Sequence, residues 1–147
     1  MGQASFRRAE ASGTAGRIAV VTDSVSQLTP EMARQWGITV VPVRLILGEQ
    51  QLRDGIDITP AELYRRMREE GALPRTSGMS VGEYLQVFLD LLQGGAQAII
   101  CLTLSSRLSM GFSSASHAAE LARTEFPGRR IEVIDTRTAT RAEGFIA

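Results

Sequence analysis

The residues best suited to chemistry are hydroxyls and carboxylates that follow apolar runs. An apolar run from Ile99 to Leu104 gives way to Ser105, Ser106, Arg107 and Ser109, and a small-residue stretch from Phe112 to Ala122 comes next. A buried strand that passes through a serine turn into a helix start is a place where anions bind. The first backbone N–H groups of a helix have no internal partner, and the helix dipole is positive there. Ser109 is the expected N-cap, and the turn is expected to hold a carboxylate or a phosphate. Two more polar pairs follow apolar runs, Asp23-Ser24 and Asp135-Thr136, and Thr76-Ser77 lies in an expected loop able to reach them. Hydroxyl donors together with helix N–H groups bind a carboxylate without a buried cation. All 16 basic residues are arginine, so lysine chemistry is excluded within this chain, Schiff bases and Walker-type phosphate binding included. No residue set forms a nucleophile–base pair or a metal site, so no catalytic residue, metal or cofactor is expected.

The elements that position these groups alternate in type. Arg17–Thr22 is a β-branched run and the first expected strand; Thr29-Pro30-Glu31 then opens a helix that ends at Gly37. Ile38–Pro42 is a second strand, extended further through Val43–Leu47, and a short strand is expected near Gln51–Arg53. Thr59-Pro60-Ala61-Glu62 and Ser80-Val81-Gly82-Glu83 both read as capping boxes. The second opens a helix whose Val81, Tyr84, Leu85, Phe88 and Leu92 share one face. Strands at Ala98–Leu104 and Ile131–Ile134 flank a helix expected from Ser109 to about Glu125. The class is α/β, a mostly parallel, Rossmann-like sheet flanked by helices. In such sheets ligands sit outside the carboxyl ends of the strands, which is where the polar clusters fall.

The chain has 147 residues and a formal net charge of zero, with 44% hydrophobic and 22% charged residues. That balance suits one packed domain over residues 17–147 and argues against a nucleic-acid partner gripped through a basic surface. Residues 1–16 read as a flexible tail without an apolar signal-peptide core, so a cytoplasmic location is expected. No stretch reaches the roughly 18 apolar residues of a membrane span. The single cysteine, Cys101, sits mid-strand as a small core residue.

Six segments, Val20-Val21-Thr22-Asp23-Ser24, Val41-Pro42, Asp54-Gly55-Ile56-Asp57-Ile58-Thr59, Pro74-Arg75-Thr76-Ser77, Ser105-Ser106-Arg107-Leu108-Ser109 and Val133-Ile134-Asp135-Thr136, follow one another along the chain. In order and spacing they resemble the DegV family of bacterial fatty-acid-binding proteins. The resemblance implies a long-chain fatty acid whose carboxylate is held by two hydroxyls, at Thr76 and Ser109, and whose carrier presents it to a fatty acid kinase. The candidate ligand-binding set is Thr76, Ser109, Ser77, Ser106, Gly111, Asp23 and Ser24. Three departures from the family pattern stand out. Met110-Gly111 replaces Gly-Thr after the key serine, so Met110 is expected to intrude on the site or line it. Gly78-Met79 replaces Gln-Pro after Thr76-Ser77. The family also continues into a second domain of similar size, with the ligand between the two, and this stretch corresponds to the first domain.

Plainer readings stand beside these. Ser109 also suits an ordinary cap, Asp23 an Asx-turn, and Ser105 and Ser106 the satisfaction of loop backbone. Met79, Met110 and Phe112 are either core or the lining of an acyl tunnel, and His117 is surface or packing. One rival function is a phosphoryl-transfer hydrolase with Asp23 as nucleophile and Thr103 or Ser105 holding the phosphoryl group. Against it, Val25 stands where the second acid is expected. The other rival is a ligand-free interaction domain that pairs two copies through Phe145-Ile146.

Overall fold

The computed structural model describes residues 16–147; the tail expected over residues 1–16 lies, save for Gly16, outside the described residues. The first strand, β1 (Ile18–Asp23), is central. It pairs in parallel with β2 (Ile38–Val41) on one side and β6 (Ala98–Thr103) on the other, and β6 pairs in parallel with β7 (Arg130–Asp135). The result is a four-stranded parallel sheet of order β2-β1-β6-β7. In register, Val20 faces both Ile38 and Ile100, and Thr103 faces Asp135. The carboxyl ends of β1, β6 and β7 therefore finish together.

Alternation along the strands sorts the faces. Ala19, Val21, Ile99, Cys101 and Ile131 point into one core with Tyr84, Phe88 and Leu92 of α3 (Val81–Gln93). Helix α4 (Gly111–Glu125) adds Ala115, Ala118, Ala119 and Ala122, a stripe of helical period whose small side chains let it pack close to α3 and β7. The first helix, α1 (Pro30–Trp36), starts on Thr29 Oγ1, which accepts the Met32 N–H, and stops at Gly37 in the left-handed region (φ 66°).

A second layer departs from the sequence reading. Val43–Leu47 does not prolong β2. Pro42 has no N–H for the ladder, and beyond it β3 (Arg44–Leu47) turns into a separate antiparallel sheet, where it lies between β4 (Gln50–Arg53) and β5 (Arg75–Ser77). Thr76 and Ser77 thus lie on a strand and not in a loop: Leu45 faces Thr76, and Arg44 faces Ser77. Helix α2 (Pro60–Glu70) joins β4 to β5. Thr59 accepts the Glu62 N–H, but the Glu62 carboxylate turns to Arg65 and Arg66, so only half of this capping box forms. At Ser80 and Glu83 both halves form. The last element is a short helix, α5 (Arg141–Gly144). Among the described residues no helix is long and apolar enough to cross a membrane.

Candidate functional site

A cleft of about 450 Å³ opens at the carboxyl edge of the parallel sheet, between the β6–α4 turn and the end of β5. Thr76, Ser77, Ser109, Ser106 and Asp23 all line it, with Gly78 and Met79 below β5 and Arg107, Leu108 and Met110 on the turn. Ser24 and Gly111 of the expected set sit beside it. Ser24 Oγ accepts the Val43 N–H at 3.1 Å, which ties the end of β1 to the start of the second layer. Gly111 is buried behind Ser109.

The turn is braced from within. The N–H groups of Leu108 and Ser109 both donate to Ser105 O, and Ser105 N–H donates to Thr138 O. Ser106 donates from its hydroxyl (2.6 Å) and its backbone N–H (3.1 Å) to the Asp135 carboxylate. These bonds and the Arg137 N–H hold the Asp135 carboxyl below the ordinary carboxylate range. The third strand end thus supports the turn from behind, and the Ser106 proton is already committed.

Ser109 is not the helix cap. Met110 takes the N-cap position and makes no side-chain cap bond, and α4 begins at Gly111. The reason lies in the tight turn: Ser109 Oγ accepts the Gly111 N–H, two residues ahead, at 3.0 Å, so the hydroxyl closes a local ring instead of reaching the third helical residue. This bond uses a lone pair and leaves the Ser109 proton for a ligand. The strand carrying Thr76 comes close, since a Cβ on Gly78 would lie 3.9 Å from Ser109 Oγ. Thr76 is exposed and Ser109 half-buried. Of the three apolar candidates, Met79 and Met110 line the cleft and Phe112 does not. His117 is exposed on α4.

Asp23 forms the floor. Its side chain is fully buried; Oδ1 accepts the Val25 N–H at 2.9 Å and Oδ2 the Leu104 N–H at 3.0 Å. Burial pushes its pKa up, and the Leu104 and Val25 bonds pull against that. The sequence offers no pointer to its neighbour, Glu143 of α5. This carboxyl is also fully buried, accepts the Thr22 hydroxyl at 2.8 Å through Oε1, and has no partner for Oε2 among the described residues. Burial first, and then the nearby Asp23 charge, raise it to about 7. A 121-residue separation between Thr22 and Glu143 explains why local patterns miss the pairing. Among the described residues no three metal-ligating side chains gather.

The chain is a parallel α/β domain with a hydroxyl-lined cleft at its carboxyl edge, floored by a backbone-bound aspartate. The DegV family model matches residues 17–147, and the chain belongs to the DegV family. It is 36% identical over 130 residues to a DegV domain-containing protein of Caldanaerobacter subterraneus, covering 88% of this chain and 44% of that protein. It superposes on a stearic acid-binding protein from Eubacterium ventriosum with TM-score 0.82 and 32% identity. It also superposes on a fatty-acid-binding DegV family protein from Thermus thermophilus with TM-score 0.76 and 37% identity. Each superposition covers 88% of this chain and 44% of the other. The chain therefore spans less than half the length of these relatives.

Proposed function

We propose that this chain forms the carboxylate-gripping half of a carrier for a long-chain fatty acid. The carrier presents its cargo to a fatty acid kinase in the cytoplasm and catalyses no reaction itself. The observation that carries the reading is the shared cleft of Thr76 and Ser109, two uncharged donors from different layers of the fold. A carboxylate between them takes one hydrogen bond from each hydroxyl and faces the positive end of the α4 dipole. On the turn, Leu108 and Met110 are each 69% exposed on either side of Ser109, an apolar rim suited to the first methylenes of an acyl chain. The names of the Eubacterium and Thermus relatives, stearic acid-binding and fatty-acid-binding, support the same ligand class. A nucleophilic Asp23 fits less well, because both its oxygens already accept backbone N–H groups and the side chain is fully buried.

The test is solvent extraction and mass spectrometry of the complete gene product that carries this chain. A stoichiometric long-chain acid is the expected result. Recovery of no acyl chain, together with no binding of added stearate, would sink the reading.

A further inference from the structure

Among the described residues, the Tyr84 hydroxyl has no hydrogen-bond partner. The residue lies on the first turn of α3, is fully buried, and packs near Phe88 with ring centroids 6.0 Å apart. Its Oη is shielded from water and makes no hydrogen bond. Burying a hydroxyl unpaired is unfavourable, and phenylalanine would fill the same space without that penalty. Packing therefore does not account for the oxygen.

Its position does. A Cβ on Gly111 would lie 3.5 Å from each of Tyr84 Oη, Ser109 Oγ and Met79 Cε. The three groups converge on the space that Gly111 leaves empty, directly behind the cleft wall made by Ser109 and Met79. The two hydroxyl oxygens are thus no more than twice that distance apart, with no side chain on Gly111 to separate them. Ser109 Oγ already accepts the Gly111 N–H and keeps one further lone pair. Tyrosine supplies the donor for it.

We propose that Tyr84 is a positioning residue for the bound carboxylate: with ligand in the cleft its hydroxyl donates to Ser109 Oγ and so turns the Ser109 proton outward. The inference rests on the carboxylate reading of the site. The chain then runs from Tyr84 O–H to Ser109 O–H to the carboxylate, and each bond polarises the next. In the empty protein the tyrosine hydroxyl stays unpaired, and ligand binding gives it a partner. The hydroxyl thus works against the stability of the free form and in favour of the bound one.

The experiment measures stearate affinity of the complete gene product by calorimetry, together with the thermal midpoint of the lipid-free form. The variants are Tyr84→Phe, Ser109→Ala, their combination, and Gly111→Ala. Tyr84→Phe is expected to weaken stearate about five- to tenfold while leaving the lipid-free midpoint unchanged or raised. In the Ser109→Ala background it should cost nothing more, because the link it removes is already gone. Gly111→Ala places a methyl between the two hydroxyls at ordinary contact distance and should reproduce the affinity loss without unfolding the protein. Wild-type affinity in Tyr84→Phe beside a weakened Ser109→Ala overturns the positioning role alone. So do losses that multiply in the double variant. Wild-type affinity in Ser109→Ala removes the carboxylate reading, and the role of Tyr84 with it.

Discussion

Asp23 and Leu104 are joined across the sheet by one hydrogen bond, in which the Leu104 N–H donates to Asp23 Oδ2 at 3.0 Å. The bond links the last residue of β1 to the first residue beyond β6. The other oxygen takes the Val25 N–H at 2.9 Å, so one buried carboxylate fixes the exits of two strands. Asp23→Asn keeps one acceptor and turns an NH2 group toward a backbone N–H. That change is expected to destabilise the fold by about 2 kcal/mol, and Asp23→Ala by more, since both half-buried N–H groups then lose their partner. The shift of the urea midpoint at constant slope measures it.

Glu143 makes stability depend on pH in the neutral range. Its carboxyl is raised from an ordinary 4.5 to about 7 in the fold. Between these values the folded protein binds the proton more tightly than the unfolded chain does. Stability contributed this way is therefore complete below about pH 4.5 and is lost as pH rises through 7. The loss is at most about 3 kcal/mol. Asp23 is shifted in the same direction and adds to the slope. At the acid end the sign reverses. Hydrogen bonds from Arg53 hold Asp57, and bonds from Arg65 and then Arg66 hold Glu62, each at about 2, and protonation removes these pairs as pH falls. Denaturant midpoints should peak near about pH 5. Glu143→Gln keeps an acceptor for the Thr22 hydroxyl and should flatten most of the decline between pH 5 and about 7.5.

Gly144 keeps α5 seated. A Cβ there would lie 2.5 Å from the carbonyl oxygen of Ser26, in the 3-10 turn after β1. Backbone cannot give way as a side-chain tip does, so Gly144→Ala must lift the short helix away and carry Glu143 out of its pocket. A loss of about 2 kcal/mol is expected, together with a weaker pH dependence above pH 5, because Glu143 is then partly solvated. Thermal melts at pH 5 and pH 8 read both effects.

Much of this architecture was legible in the sequence, for physical reasons. The two central strands, β1 and β6, are largely apolar or β-branched runs, and Thr29, Thr59 and Ser80 each accept the expected N–H at a helix start. The convergence of Thr76 and Ser109 on one cleft was also legible, through the family resemblance for Thr76 and through the strand-to-helix turn for Ser109. The second layer was not. β5 is three residues long and mostly exposed, too short to show an alternation, and only its pairing with β3 makes it a strand. The cap at Ser109 failed because a serine two residues before a free N–H has a nearer bond to make than the one a helix cap requires. Glu143 and Tyr84 stayed hidden for another reason. A charged residue in a four-residue helix and an aromatic on a helical core face both look ordinary until tertiary contacts bury their oxygens.

The site's chemistry predicts how it responds to salt. If hydroxyls and the start of α4 hold the carboxylate, affinity depends on short, partly buried hydrogen bonds that salt screens little. Arg107 lines the same cleft but is exposed, so its charge acts through water. Thr76→Val, which keeps the shape and removes the hydroxyl, and Ser109→Ala are each expected to weaken stearate about tenfold at any ionic strength. Arg107→Gln should lower affinity less than threefold at about 0.15 M salt and act mainly on the association rate at low salt. The measurement is stopped-flow binding of stearate to the complete gene product across a salt series. A steep salt dependence abolished by Arg107→Gln, with Thr76→Val silent, would mean that the guanidinium and not the hydroxyl pair reads the head group.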